Sequence, residues 1–139
     1  MPARFMLDTN VARRLIKGAP IPLRRKLLDV PLAHQCVSVI TQAELLCGVA
    51  RKEGVSRLAA IVDEFLLRVQ ILPWSSLAAV AYAQLRSELE RRGISLGNLD
   101  LMIAAHAKAE DVVLVSNDQA LLRIAPFVSV VDWTATSSN

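Results

Sequence analysis

The feature that most constrains this chain is the short apolar run at residues 4–7, Arg-Phe-Met-Leu, which shows no polar alternation and breaks off at Asp8, Thr9 and Asn10. A run of that length and pattern reads as a strand buried on both faces, as in a parallel sheet. Short apolar runs recur at 35–40, 69–72, 112–115 and 128–131. Between them lie segments with helical spacing, at about 10–17, 22–29, 41–52, 56–67, 75–92, 98–110 and 118–124. Strands alternating with helices predict an α/β fold on a parallel sheet of four to five strands. Local signals support the boundaries. Thr41 and Glu44 stand at capping-box spacing, Gly93 follows the long helix, and Glu88 and Arg92 form an i,i+4 pair within it. On that helix Leu77, Val80, Ala81, Leu85 and Leu89 are expected to share the buried face.

A length of 139 residues with 53% hydrophobic content suits one domain with a single core. We expect that domain to cover residues 1–133, with a frayed Thr/Ser-rich tail at 134–139. No apolar run reaches the ~18 residues that a membrane span needs, and the N-terminus lacks a signal-peptide pattern, so the expected location is the cytoplasm. Cys36 and Cys47 sit among apolar residues without partners at metal-ligand spacing, and both read as buried free thiols. The net charge of +3 is unevenly spread. Residues 1–57 hold ten Lys or Arg against four Asp or Glu, whereas 99–139 hold two against five. A basic half suggests a polyanionic or acidic partner. With only six aromatic residues, recognition of single strands by stacking is poorly supplied.

Crossover geometry constrains the acids. A helix that follows a strand begins at that strand's carboxyl edge, which is where ligands bind in open α/β sheets. Asp8 ends the first strand, Glu44 lies in the first turn of the helix after the second, and Asp118 lies just past the fourth. Asp100 starts the helix that feeds the fourth strand. All four are expected at one edge, beside the crevice between strands 1 and 4. That expectation requires the helix at 75–92 to tilt, because the loop at 94–97 is short. Each acid also has a structural role open to it, as a cap or a helix-start charge. Converging carboxylates repel unless a hard cation lies between them, and oxygen ligands without His or Cys favour Mg²⁺ or Mn²⁺ over zinc. His106 lies about 240° around its helix from Asp100, and His34 precedes the second strand at the opposite edge. Both are expected to be surface or internally satisfied groups.

The ordered motifs resemble those of PIN-domain ribonucleases, specifically the VapC-type toxins of type II toxin–antitoxin pairs. They are Met6-Leu-Asp-Thr-Asn10, Ser38-Val-Ile-Thr-Gln-Ala-Glu44-Leu45, Leu72-Pro-Trp74, Gly97-Asn-Leu-Asp100 with the following Leu-Met-Ile-Ala-Ala-His-Ala, Leu114-Val-Ser-Asn-Asp118, and Asp132-Trp133. The resemblance spans nearly the whole chain. It implies a single PIN-like domain with sheet order 3-2-1-4-5 flanked by helices. It also implies Mg²⁺-dependent hydrolysis of phosphodiester bonds in RNA, with Mn²⁺ able to substitute and with tRNA or another structured RNA as substrate. Asp8, Glu44, Asp100 and Asp118 match the family's metal-binding, catalytic acids. Thr9 and Ser116 are expected to support them, Ser116 standing where the family usually has Thr, and Asn10 to orient Asp8. A homodimer and inhibition by a small VapB-like antitoxin protein are implied as well. Basic residues near the cleft, among them Arg13, Arg14, Arg24, Arg25 and Lys26, are candidates for holding RNA phosphates.

Other readings have less behind them. A phosphoacceptor signalling domain needs an Asp after strand 3 and a Lys after the last strand, but here strand 3 runs into Leu72-Pro73-Trp74 and no Lys follows Lys108. A haloacid-type phosphatase needs Asp-x-Asp where this chain has Asp8-Thr9-Asn10. An RNA-processing PIN nuclease outside any toxin–antitoxin pair, and a catalytically inactive PIN fold, are the alternatives within the family.

Overall fold

The computed structural model describes residues 4–18, 21–52, 54 and 56–134; the expected tail, apart from Thr134, lies outside the described residues. Five strands form one parallel sheet in the order β3-β2-β1-β4-β5, with β1 at Phe5–Leu7, β2 at Gln35–Ser38, β3 at Gln70–Leu72, β4 at Val113–Val115 and β5 at Val130–Val131. The connections carry helices α1 (Thr9–Ile16), α2 (Ile21–Asp29), α3 (Val39–Arg51), α4 (Ser56–Arg68), α5 (Ser76–Arg91), α6 (Asn98–Ala109) and α7 (Gln119–Leu122).

The absence of alternation in the strands now has a cause. Successive residues face different cores, and both cores are apolar. Met6, Cys36 and Leu114 join Leu85, Ile103 and Leu121 on one side of the sheet, while Leu7, Val37 and Val115 join Val11, Leu23 and Trp133 on the other. A smaller cluster of Ala12, Leu45 and Val62 lies among α1, α3 and α4. Trp133, packed on Phe5 with ring centroids 5.0 Å apart, closes the second core near the end of the described chain.

Several boundaries differ from expectation. Strand β2 stops at Ser38, whose hydroxyl caps α3 by accepting from Ile40 N at 3.0 Å. Thr41 is therefore the buried third residue of α3 rather than its cap, and Glu44 lies in the second turn, not the first. The capping box is not formed because the Thr41 hydroxyl lies instead against that of Thr9, 3.1 Å away. On α5 the buried stripe is Ala78, Ala81, Leu85 and Leu89, while Leu77 and Val80 are 70% and 54% exposed. The small residues at 78 and 81 lie on the buried face, and the larger Leu77 and Val80 point outward. Cys36 is buried as expected, but Cys47 is exposed on the outer side of α3.

The long α5 and the short loop after it are reconciled by its direction. Trp74, just before α5, donates to Met102 O at 3.3 Å, and Arg86, near its end, donates to Asn98 Oδ1 at 3.3 Å. Helix α5 thus runs back toward the start of α6, so the loop does not have to recross the sheet. Its end is a Schellman turn: Ile94 N donates to Leu89 O at 2.9 Å, Gly93 N donates to Glu90 O at 3.1 Å, and Gly93 takes φ +68°. The expected Glu88–Arg92 pair is present at 2.9 Å.

Candidate functional site

Register brings the first two site residues together. Leu7 pairs with Val115 across β1 and β4, so Asp8 and Ser116 leave the two strands side by side at the carboxyl edge. Asp8 N donates to Val115 O at 3.0 Å, fixing that alignment. The Asp8 carboxylate also caps α1, with Oδ1 accepting from Val11 N at 2.8 Å. Capping and facing the crevice are therefore compatible roles for one carboxylate, which has two oxygens.

Asp8 is only 2% exposed, and its pKa is raised from 3.8 to about 6. Loss of hydration is the largest cause. The Ser116 hydroxyl and Val11 N pull it back down, and the negative charges of Asp100 and Asp118 push it up again. Ser116 is fully buried and accepts from Asp118 N at 3.0 Å, which leaves its proton for Asp8. Asn10, expected to orient Asp8, is instead exposed on α1, and Val11 N and Ser116 do the orienting.

Asp118 caps α7 through Ala120 N at 2.8 Å. Asp100, in the first turn of α6, is half-buried and its pKa is raised, first by burial and then by Asp118 and Glu44. Glu44 is held by the Thr9 hydroxyl, which donates to Oε1 at 2.7 Å. Because Thr9 has one proton to give, the Thr41 hydroxyl must be the donor in their 3.1 Å contact. Two residues with no charge thus fix the position of the fourth acid. Thr41 is hidden from sequence reasoning because its spacing to Glu44 has another explanation.

The charges of Asp100 and Asp118 act on Asp8, and those of Asp118 and Glu44 on Asp100. Among the described residues, however, no three Asp, Glu, His or Cys side chains stand close enough to enclose a single ion. The donor set still suits a hard divalent cation. Its side chains are oxygen donors, and Mg²⁺ keeps several of its waters and binds through one or two carboxylates rather than in an all-protein cage. The buried Asp8 charge is also the kind of group that a cation would compensate.

The histidines take no part. His106 is fully buried, with Nδ1 2.7 Å from the Ser38 hydroxyl, and it ties α6 to the cap of α3. Its Nε2 lies 3.8 Å from Glu110 Oε1, outside hydrogen-bonding reach, and burial lowers its pKa. Of the basic candidates, Arg13 is exposed on α1 and lines a groove with Glu44. Arg14 donates from Nε and Nη2 to Asn117 Oδ1 at 3.2 and 3.0 Å, bracing the loop between Ser116 and Asp118. Arg24, Arg25 and Lys26 are exposed on α2, and none of them lines that groove.

An α/β sheet with its acids at the β1/β4 switch point defines a class, and a family model agrees. Residues 5–126 match the model described as PIN domain, and the chain belongs to that family. It is 34% identical over 130 residues to a tRNA(fMet)-specific endonuclease VapC of Salmonella typhimurium, covering 94% of this chain and 98% of that one. It is also 36% identical over 115 residues to Ribonuclease VapC2 of Haemophilus influenzae, covering 83% and 86%. The DNA-bound VapBC structure from Salmonella typhimurium superposes with a TM-score of 0.86 at 34% identity, covering 95% of this chain and 99% of that one. Within the PIN family, then, the chain is of the VapC ribonuclease type.

Proposed function

We propose that this chain is the toxin of a VapBC pair and cleaves RNA at the crevice between β1 and β4, with a divalent cation, Mg²⁺ or Mn²⁺, held by Asp8 and Asp100 and assisted by Asp118 and Glu44. The observation that carries this reading is the buried Asp8 carboxylate, pressed by two further acids at the switch point, in a chain that matches VapC ribonucleases over 94% of its length. A cation held there would lower the pKa of an attacking water and offset charge that develops on a phosphodiester. The chain's own residues supply order. Ser116 and Val11 N fix Asp8, Thr9 fixes Glu44, and Arg14 braces the loop that carries Asp118. No His is needed as general base, in keeping with His106 facing Ser38.

Its partner is a small VapB-like antitoxin, supported by the likeness to a solved VapBC complex. The substrate is tRNA or another structured RNA, in line with the tRNA specificity of the Salmonella relative. Arg13, Arg14, Arg24, Arg25 and Lys26 contribute positive potential toward it. The exposed apolar side chains Leu77 and Val80 on α5 suit contact with a second copy in a homodimer. No helix among the described residues is long and apolar enough to cross a membrane, which fits action on cytoplasmic RNA. Mapping of cleavage sites on total cellular RNA, with Mg²⁺ and with chelator, tests the reading. Metal-dependent cuts at a few positions are expected, and no cleavage in Mg²⁺ or Mn²⁺ would overturn it.

A further inference from the structure

We infer that the groove beside Glu44 is a binding subsite for the nucleotide flanking the cleaved phosphodiester, with Arg13 and Arg51 holding its phosphates. The inference rests on the ribonuclease reading and adds a place for the substrate. The groove, of about 370 Å³, is lined by residues of α1, α3 and the start of α6, among them Arg13, Ile40, Glu44, Cys47, Arg51 and Leu99. Glu44, which walls the groove, accepts from Thr9, the chain neighbour of Asp8, and Leu99, the chain neighbour of Asp100, lines it as well, so the groove lies beside the acids.

Arg4 pairs with Glu110 at 3.8 Å. Arg68, Arg86, Arg91 and Arg92 are paired with Glu64, Glu90 and Glu88 along their own helices. Arg13 and Arg51 are exposed, and among the described residues neither side chain pairs with an acid. The one carboxylate among the described residues lining the groove, Glu44, accepts from Thr9. Two uncompensated guanidiniums on one groove suit phosphate, which they grip with two parallel hydrogen bonds. Leu99 is 48% exposed, and with Ile40 it offers an apolar surface for a ribose or base face. An acidic protein segment would meet the same cations. Continuity with the acids favours the strand being cut, because a phosphodiester seated there must have neighbouring nucleotides within a few ångströms.

The test uses Arg51→Ala, since Arg51 touches none of the acids' hydrogen-bond partners. RNA binding is measured on the full chain carrying Asp100→Asn, with a tRNA as probe across a salt series. Cleavage of the same tRNA is measured without Asp100→Asn. Arg51→Ala is expected to weaken binding roughly tenfold and to reduce the slope of log affinity against log salt by about one. KM should rise while the Mn²⁺-dependent gain in melting temperature is unchanged. Arg51→Lys should recover part of the affinity, and Arg57→Ala, the same charge change on α4, should do nothing. Wild-type affinity and slope in Arg51→Ala would overturn the subsite while leaving the ribonuclease reading in place. The subsite is equally overturned if Arg51→Ala alters the oligomeric mass with RNA binding intact, for the groove would then be a protein contact. A wild-type protein that neither binds nor cuts RNA would sink the ribonuclease reading itself, and the subsite with it.

Discussion

Asp8→Asn in the absence of metal isolates the strain at the centre of the site. In the fold the Asp8 pKa stands at about 6, against 3.8 for the free side chain. The difference corresponds to about 3 kcal/mol held against the ionised form. The folded value lies above the unfolded one, so the favourable contribution is fully present below about pH 4. It is lost as pH rises through about 6, and at pH 7.5 the metal-free protein bears the whole penalty. Asn has nearly the same volume and caps helices about as well as Asp, so its oxygen can keep the bond from Val11 N while the charge goes. Melting in chelator at pH 7.5 should therefore rise, by up to about 10 °C at roughly 3 °C per kcal/mol for a domain of this size. At pH 4.5 the gain should shrink to about a third. Asp8→Ala loses the cap as well, worth about 1 kcal/mol, and should gain correspondingly less. Adding Mn²⁺ should stabilise the wild type by about 2.7 kcal/mol at a hundredfold excess over its dissociation constant, and Asp8→Asn by little. An Asp8→Asn protein that melts at or below wild type in chelator at pH 7.5 would show that Asp8 is only a cap.

Asp8→Asn and Asp100→Asn should each abolish RNA cleavage in Mg²⁺ while circular dichroism stays native, and near-normal cleavage by either would remove that residue from the site. Thr9→Val should cost about 1–2 kcal/mol by stranding the Thr41 hydroxyl, and should lower cleavage because Glu44 loses its tether; an unchanged melt and rate would make that hydrogen bond incidental. His106→Leu should cost about 1–3 kcal/mol by leaving the buried Ser38 hydroxyl without its partner, whereas His106→Asn, which keeps a polar group near Nδ1, should cost less; equal losses would point to packing alone. Reversing Arg24, Arg25 and Lys26 to Glu should weaken RNA binding and flatten its salt dependence, and an unchanged slope would place the RNA elsewhere.

The sheet was legible because its signals are backbone-scale. Uninterrupted apolar runs, Gly93 and the prolines mark the boundaries, and the order 3-2-1-4-5 followed from the resemblance and was observed. The places of Asp8 and Asp118 past β1 and β4, and of Asp100 in the first turn of α6, were legible because crossover geometry depends only on which end of a helix carries a residue. What the chain did not disclose were contacts between groups far apart in sequence. Thr41 looked like a cap, since its spacing to Glu44 satisfies a local rule, while its partner Thr9 lies in another helix. Ser38 looked like mid-strand, because nothing nearby indicates that His106 would meet it. Arg51 carries no local signal, since only the packed structure shows which arginines face carboxylates. On α5, side-chain size was the wrong guide, because the buried face includes two alanines.

The alignment of Leu7 with Val115 has a consequence for the chain during its own synthesis. Asp8 emerges from the ribosome long before Ser116 and Asp118, which complete its surroundings. Until β4 has emerged and docked beside β1, no crevice exists and the acids are scattered along an unfinished polypeptide. A shift of β4 by one residue would turn Ser116 to the opposite face. A nuclease built this way gains its acid crevice only once β4 has been made and docked, when a partner can already be waiting.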